Sequence, residues 1–346
     1  MSGLTSQTLA AHTTLRVGGP AGDWVTVTSE RELCDSVVRC DAQGTPVLIL
    51  GGGSNLLVAD DGFPGTVIQV AVRGMEVVSQ SEDRVRLHIA AGEVWDDVVQ
   101  RAVDEGWSGI EALSGIPGLT GATPVQNVGA YGQEVGQVIE TVRVLDRSTG
   151  TVLDVGAGEC GFGYRTSRFK AEPGRWVILA VELSLGRSGW GQPTYPELAR
   201  ELGVAVGDVA PITSVRSAVL LLRSRKGMVL NPDDSDTWSA GSFFTNPVVT
   251  PEVAARLPDG CPTFPAVGGV KLSAAWLIEQ AGIARGFAID DASGARISTK
   301  HTLALTNGGG ARAADIMALA RVVRERVIDA YGIALEPEPT LVGCSL

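Results

Sequence analysis

Residues 107–136 read WSGIEALSGIPGLTGATPVQNVGAYGQEVG, and no regular element accommodates them. Glycine recurs too often for a helix, and the stretch is too long for an ordinary connection between elements. Long irregular segments of compact domains are functional or disordered. The interspersed Ile, Leu, Val and Tyr argue for an ordered loop wrapped around something.

The flanking sequence supplies a mixed α and β frame. Pro46 to Leu50 is a compact apolar run of buried-strand type that stops at Gly51-Gly52-Gly53-Ser54-Asn55. Val85, Leu87 and Ile89 alternate with Arg84, Arg86 and His88, as in a half-buried strand. Val94, Val98 and Ala102 then mark one face of a helix that stops near Gly106. Val142 to Val144, the turn-prone Arg147 to Gly150 and Val152 to Val155 read as a hairpin. The periodicity predicts a helix over Ile212 to Arg225, capped by Thr213 or Ser214, with Val215, Val219 and Leu222 inward. Further helices are expected over Lys271 to Ala281 and Ala313 to Tyr331. The acidic stretch Asn231 to Asp236 reads as a surface loop near a boundary.

Charge and side-chain chemistry remove several classes of function. The net charge is −11, and Lys and Arg are scattered, so the basic face of a nucleic-acid reader is missing. A phosphate-bearing small molecule needs only a few local cations or backbone amides. Cys34, Cys40, Cys160, Cys261 and Cys344 form no CxxC pair, which points to a reducing compartment. His12, His88 and His301 stand far apart, so a His-based zinc site is unsupported and no metal is expected. His88 reads as a solvent-side strand residue and His301 as structural or surface. No apolar run is long enough to cross a bilayer and no signal-peptide pattern opens the sequence. A cytoplasmic protein without membrane insertion is the expectation.

Glycine after a buried strand lets the main chain approach a ligand closely, and successive N–H groups in such turns form anion-binding nests. Gly51 to Asn55 suits that role, although a tight turn would read the same. No lysine follows as in a Walker loop, and Leu56 to Val58 continue extended where a Rossmann loop would open a helix. Gly115-Ile116-Pro117-Gly118 and Asn127-Val128-Gly129-Ala130-Tyr131-Gly132 offer a second set of amides. Two such loops would suit a long ligand with a diphosphate in its middle.

LGGGSNLL (50–57), SGIPG (114–118) and PVQNVGAYGQE (124–134) resemble the FAD-binding loops of the UDP-N-acetylenolpyruvoylglucosamine reductase family. GFGYRTSRFK (161–170), QPTYPEL (192–198), AGSFFTNP (240–247), KLSAAWLIEQAG (271–282) and LEPEP (335–339) continue the resemblance in the family's order. It implies an α+β protein: a p-cresol methylhydroxylase-type FAD-binding domain over 1–226, with lobes about 1–66 and 67–226, then a smaller α+β substrate-binding domain over 227–332. A tail, 333–346, carries a catalytic glutamate. It also implies that NADPH reduces the flavin, that hydride passes to C3 of an enolpyruvyl ether of a UDP-sugar, and that C2 is then protonated to give UDP-N-acetylmuramate. A monomer is implied.

Hydride addition at C3 pushes charge onto C2 and the neighbouring carboxylate, so the chemistry needs donors there and an acid at C2. By the same resemblance Arg165 serves the carboxylate, a role its planar fork suits, Ser242 is the proton donor and Glu338 the third catalytic residue. Pro339 departs from the valine usual in the family. Cofactor contacts are expected from Gly51, Gly52, Gly53, Ser54, Asn55, Ser114, Gly115, Ile116, Pro117, Gly118, Asn127, Gly129, Ala130 and Tyr131. Substrate contacts are expected from Tyr195, Lys226, Asn246 and Lys271; Arg223 and Arg225 equally suit a helix C-terminus. A different flavoenzyme on the same scaffold would have no reason to keep Ser242, Lys226 and Glu338 together. A silent flavin or nucleotide-sugar sensor should have lost one of Arg165, Ser242 and Glu338.

Overall fold

The computed structural model describes residues 7–346. The chain divides into two compact units, one of residues 22–52 and 64–229, the other of residues up to 21, 53–63 and 230–346.

In the first unit the strands Val47–Leu50 and Phe63–Val70 run parallel, Val47 opposite Thr66, and Ala21–Val27 flanks them. The helix Glu30–Ala42 begins at Ser29, whose hydroxyl accepts from the Glu32 amide at 3.2 Å, and Glu30 and Glu32 suit the positive end of its dipole. A five-stranded antiparallel sheet follows, in the order Thr151–Gly156, Ile139–Asp146, Trp176–Gly186, Arg84–Ala90, Met75–Gln80. The expected hairpin is its edge, with Thr151 opposite Asp146. Val85, Leu87 and Ile89 are fully buried and pack with Trp95, Val98 and Ala102 of the helix Trp95–Asp104. Val94 is that helix's N-cap rather than part of its inner face. His88 lies on the outer side of its strand, 3.5 Å from Glu182.

The helix Ile212–Arg225 has the expected ends and buries Val215, Val219 and Leu222. Its cap differs from the expectation. Pro211, not Thr213 or Ser214, is the N-cap, and the Ile212 amide donates to the Gly189 carbonyl at 3.1 Å. A backbone acceptor brought by the fold replaces the side-chain cap, and Pro211 holds the extended angle that precedes a helix.

In the second unit Ser239–Ser242 pairs with Ala304–Asn307, which pairs with Ala295–Ile297. Leu56–Val58 continues extended, as expected, and runs parallel to Thr340–Val342. The helix Ala313–Tyr331 matches its expected bounds. Asp60 accepts from the Ala313 and Ala314 amides at 2.8 and 3.0 Å, and Gly332, at φ +68°, ends it. The helix expected over Lys271 to Ala281 is shorter, Ala274–Gln280, with Ser273 accepting from the Trp276 amide. Lys271 and Leu272 belong instead to the strand Gly269–Leu272, which pairs on both sides with Thr263–Ala266 and Val248–Val249. Two residues are too short a stretch for helix and strand periods to differ, and cross-strand pairing decides. One core joins these elements, including Phe243, Leu277, Leu305 and Val323.

Candidate active site

The first glycine loop leaves the strand Val47–Leu50. A Cβ on Gly52 would lie 2.9 Å from the Cα of Gly118, so the two loops touch backbone to backbone and no side chain fits between them. The N–H groups of Gly52, Ile116 and Gly118 have no hydrogen-bond acceptor among the described residues. Main-chain donors left open beside a bare backbone surface fit a diphosphate. Gly53, at φ +59°, belongs to the other unit; a Cβ there would meet the His12 carbonyl oxygen at 2.0 Å.

The loop of Ser114 to Gly118 hangs on the start of the helix Trp95–Asp104. The Trp95 amide donates to Gly118 and its indole to Leu113, while the Gly115 amide donates to Asp96 at 2.6 Å. Arg216 grips Asp96 with two nitrogens at 2.7 and 2.9 Å. Burial opposes ionisation of Asp96, but these hydrogen bonds outweigh it and hold the carboxyl below its ordinary range. Arg223 lies behind Gly115, its Nε 3.5 Å from where a Cβ would be, and that Nε has no partner. Burial pulls its pKa down to about 10. Ser114 is fully buried and spends its hydroxyl proton on the Glu111 carbonyl at 2.6 Å, leaving only its main chain for a ligand.

Among the described residues four non-glycine residues have positive φ, and three of them, Asn127, Tyr131 and Arg165, gather here. Gly129–Ala130 and Gln133–Glu134 form a hairpin whose turn residues, Tyr131 at +48° and Gly132 at +88°, suit a type I′ turn. Asn127 is buried and fully engaged: it donates to Glu134 at 2.7 Å and Gly163 at 3.1 Å, and accepts from Gly136. Its side chain shapes the loop. Arg165 donates to the Gly129 carbonyl at 3.0 Å, which ties GYR to the hairpin. Strained backbone of this kind persists where surrounding structure over-determines it, commonly at ligand sites.

Tyr195 stands edge-on to Tyr131, with ring centres 5.7 Å apart, and is 44% exposed. The Tyr131 hydroxyl is pushed up to about 12 by burial. Lys226 caps the helix Ile212–Arg225, sits over the Tyr131 ring and pairs with Glu197 at 2.6 Å. Arg225 pairs with Glu201 at 2.8 Å. Glu197 was not singled out in the sequence, although it stands in the same QPTYPEL motif as Tyr195.

In the other unit the strand carrying Ser242 has a bulge. Ser239 and Ser242 pair with Thr306 and Ala304 out of step, and Gly241, at φ +73°, takes up the extra residue. Bulges re-aim side chains. Past it, Phe243 and Phe244 are buried anchors. The Glu338 amide donates to the Phe243 carbonyl at 2.8 Å and Phe244 bridges Pro337, so residues 242 and 338 ride on one backbone junction. The Asn55 side-chain amide donates to the Glu338 carbonyl at 3.3 Å. Ser242 Oγ lies 3.3 Å from Nε2 of His301. That contact comes from pairing Ser242 with Ala304, so no local pattern around His301 could have announced it. Asn246 accepts from the Ala274 amide at 2.9 Å and thereby helps start a helix; Lys271 lies over Phe264. Among the described residues no group of three His, Cys, Asp or Glu side chains could hold a metal, and all five cysteines are free.

An α+β chain with a glycine cradle of open main-chain amides, matched by the family models that follow, is a flavoprotein oxidoreductase. A family model for a FAD binding domain matches residues 24–156, and FAD fits the open amides of the cradle. A second model, UDP-N-acetylenolpyruvoylglucosamine reductase, C-terminal domain, matches residues 232–342. The chain belongs to the UDP-N-acetylenolpyruvoylglucosamine reductase family. It is 51% identical to the Cutibacterium acnes enzyme of that name, over 100% of this chain and 92% of that one. It is 53% identical to the Nocardia farcinica enzyme, over 98% and 89%. The crystal structure of the Thermus caldophilus reductase superposes with a TM-score of 0.66 at 28% identity, over 97% of both chains.

Proposed function

We propose that this chain reduces UDP-N-acetylglucosamine enolpyruvate to UDP-N-acetylmuramate, with FAD as cofactor and NADPH as hydride donor, in peptidoglycan precursor synthesis. When bound, FAD would supply the hydride chemistry that links NADPH to C3 of the enolpyruvyl group. The protein's own part is to bind, orient and move a proton. Gly51 to Asn55 and Ser114 to Gly118 offer main-chain donors to the FAD diphosphate, while Asn127, Gly129, Ala130 and Tyr131 shape the floor of the cradle. Arg165 steadies the substrate carboxylate as it gains charge. Ser242 gives a proton to C2, and Glu338 acts beside it. Lys226 meets the UDP diphosphate, with Tyr195 over the substrate; Asn246 and Lys271 are outer contacts.

The observation that carries this reading is the hydrogen bond from Glu338 to Phe243, which seats two sequence-distant candidates on one junction. The protein acts in the cytoplasm as a monomer on small molecules, without nucleic acid and without membrane insertion. Its acidic charge agrees with that, and among the described residues no helix is long and apolar enough to cross a membrane. Anaerobic addition of NADPH should bleach the flavin band, and the UDP-enolpyruvyl sugar should restore it. A flavin that bleaches and stays reduced overturns the substrate; a protein that binds no FAD overturns the whole reading.

A further inference from the structure

Donating a proton to C2 leaves Ser242 as an alkoxide, and an uncompensated charge in a partly buried place is costly. The proposed chemistry therefore needs a source that neutralises the serine within hydrogen-bond reach. His301 stands there, its Nε2 3.3 Å from Oγ.

The turn that presents this ring is anchored on all sides. The buried Ser298 hydroxyl accepts from the Lys300 and His301 amides at 3.0 and 3.2 Å, and the Ser298 amide donates to Ala304 at 2.8 Å. Asp236 accepts from the Thr299 amide and hydroxyl at 3.0 and 2.8 Å, and Asp234 holds Lys300 at 2.5 Å. Thr302 donates to Glu279. Asp234 and Asp236 come from the 231–236 stretch, which the sequence marks only as an acidic surface loop. A side chain whose backbone is fixed this heavily can hold a reacting neighbour to within a fraction of an ångström.

We propose that His301 is the positioning residue of Ser242 and the source that restores its proton, with Asp234 and Asp236 holding the turn that presents it. The proposal rests on the reading of Ser242 as proton donor. In the step itself the Ser242 O–H bond breaks as the C2–H bond forms, and the electron pair stays on Oγ. The protonated imidazole then gives its Nε2 proton to Oγ, restoring the hydroxyl, and the neutral ring regains a proton from water. No electrons change hands, so no further reactant is required. Imidazole suits the task because it exchanges a proton near neutrality and is a far stronger acid than an alcohol.

The test uses the FAD-loaded enzyme in anaerobic stopped flow, following flavin reoxidation by the UDP-enolpyruvyl sugar in His301→Gln, His301→Ala and Ser242→Ala. Glutamine can still hydrogen-bond to Ser242 but cannot deliver a proton. The expected result is reoxidation slowed ~10–10²-fold in both histidine variants, with His301→Gln adding nothing in the Ser242→Ala background. Wild-type reoxidation in His301→Gln reduces the histidine to a hydrogen-bonding prop and overturns the relay. Additive loss in the double variant overturns it as well. If Ser242→Ala itself reoxidises normally, the underlying assignment of the serine fails, a result separable from the other two. The chain has three histidines, so ¹⁵N-histidine spectra give a readout independent of turnover. Ser242→Ala should move the His301 Nε2 resonance, and an unmoved resonance overturns the contact.

Discussion

The glycine loops proposed to hold FAD and the segment around Ser242 are built from different materials. The loops are main chain: Gly52 against Gly118, open amides, and positive φ at Asn127, Tyr131 and Arg165. The Ser242 segment relies on side chains brought together by tertiary pairing, with Ser242 at the end of a strand, His301 on a turn and Glu338 on the approach to the last strand. A ligand held by amides can be specified by a few contiguous glycines. Proton transfer needs hydroxyl, imidazole and carboxyl groups, and only tertiary pairing brings those together.

The sharpest way to separate the two regions is Ser242→Ala. Flavin reduction by NADPH should stay near wild type while reoxidation by the enolpyruvyl sugar slows on the order of 10²–10⁴-fold. Equal slowing of both half-reactions would mean that the serine belongs with the flavin-side machinery after all. The converse change is Gly52→Val, which drives the loops apart at the Gly118 contact. It should weaken FAD retention roughly 10²-fold, a cost in the few-kcal/mol range of overpacking, read as flavin lost on gel filtration. A variant that keeps its flavin would show that the loop contact is incidental.

Asn127→Ala removes the buried hydrogen bonds that shape the hairpin. A loss of about 2–3 kcal/mol is expected in denaturant melts, together with weaker flavin binding. Smaller still is Asp96→Asn, on the order of 1 kcal/mol given the partial exposure of the carboxyl. The Asp96 pKa lies below its unfolded value. Its stabilisation is therefore present above the unfolded pKa of about 4 and fades as pH falls through the folded one. Wild type and variant should differ near neutrality and converge in acid. Divergence in acid instead would mean that Arg216 does not control this carboxylate.

The contrast also explains what could be read in advance. Gly51 to Asn55 and 107–136 stood out because positive φ and close backbone approach leave a mark at the residue concerned. The hairpin 139–156 and the helix Ala313–Tyr331 were legible because their patterns are local and long. Three features were not. The cap at Pro211 is supplied by Gly189, Lys271 is claimed by strand pairing, and His301 acquires meaning only through the register of Ser242 with Ala304. Glu197 hides for another reason: a glutamate in the first turn of a helix needs no partner to be explained, so nothing points to Lys226.

The parallel pairing of Thr340–Val342 with Leu56–Val58 has a consequence for the living cell. Asn55 and Glu338, joined beside that ladder, are 283 residues apart in the chain. At ribosomal speeds, on the order of 15–60 s separate the synthesis of the two. Through that interval the strand Leu56–Val58 waits with an unclaimed edge. An aborted polypeptide ending before Glu336 would never bring the Pro337–Glu338 segment to Phe243, however well its earlier portion had folded. The junction at Glu338 therefore forms only after this late segment has been synthesised, and chains that stop short of it present an open strand edge of the kind that chaperones and proteases meet.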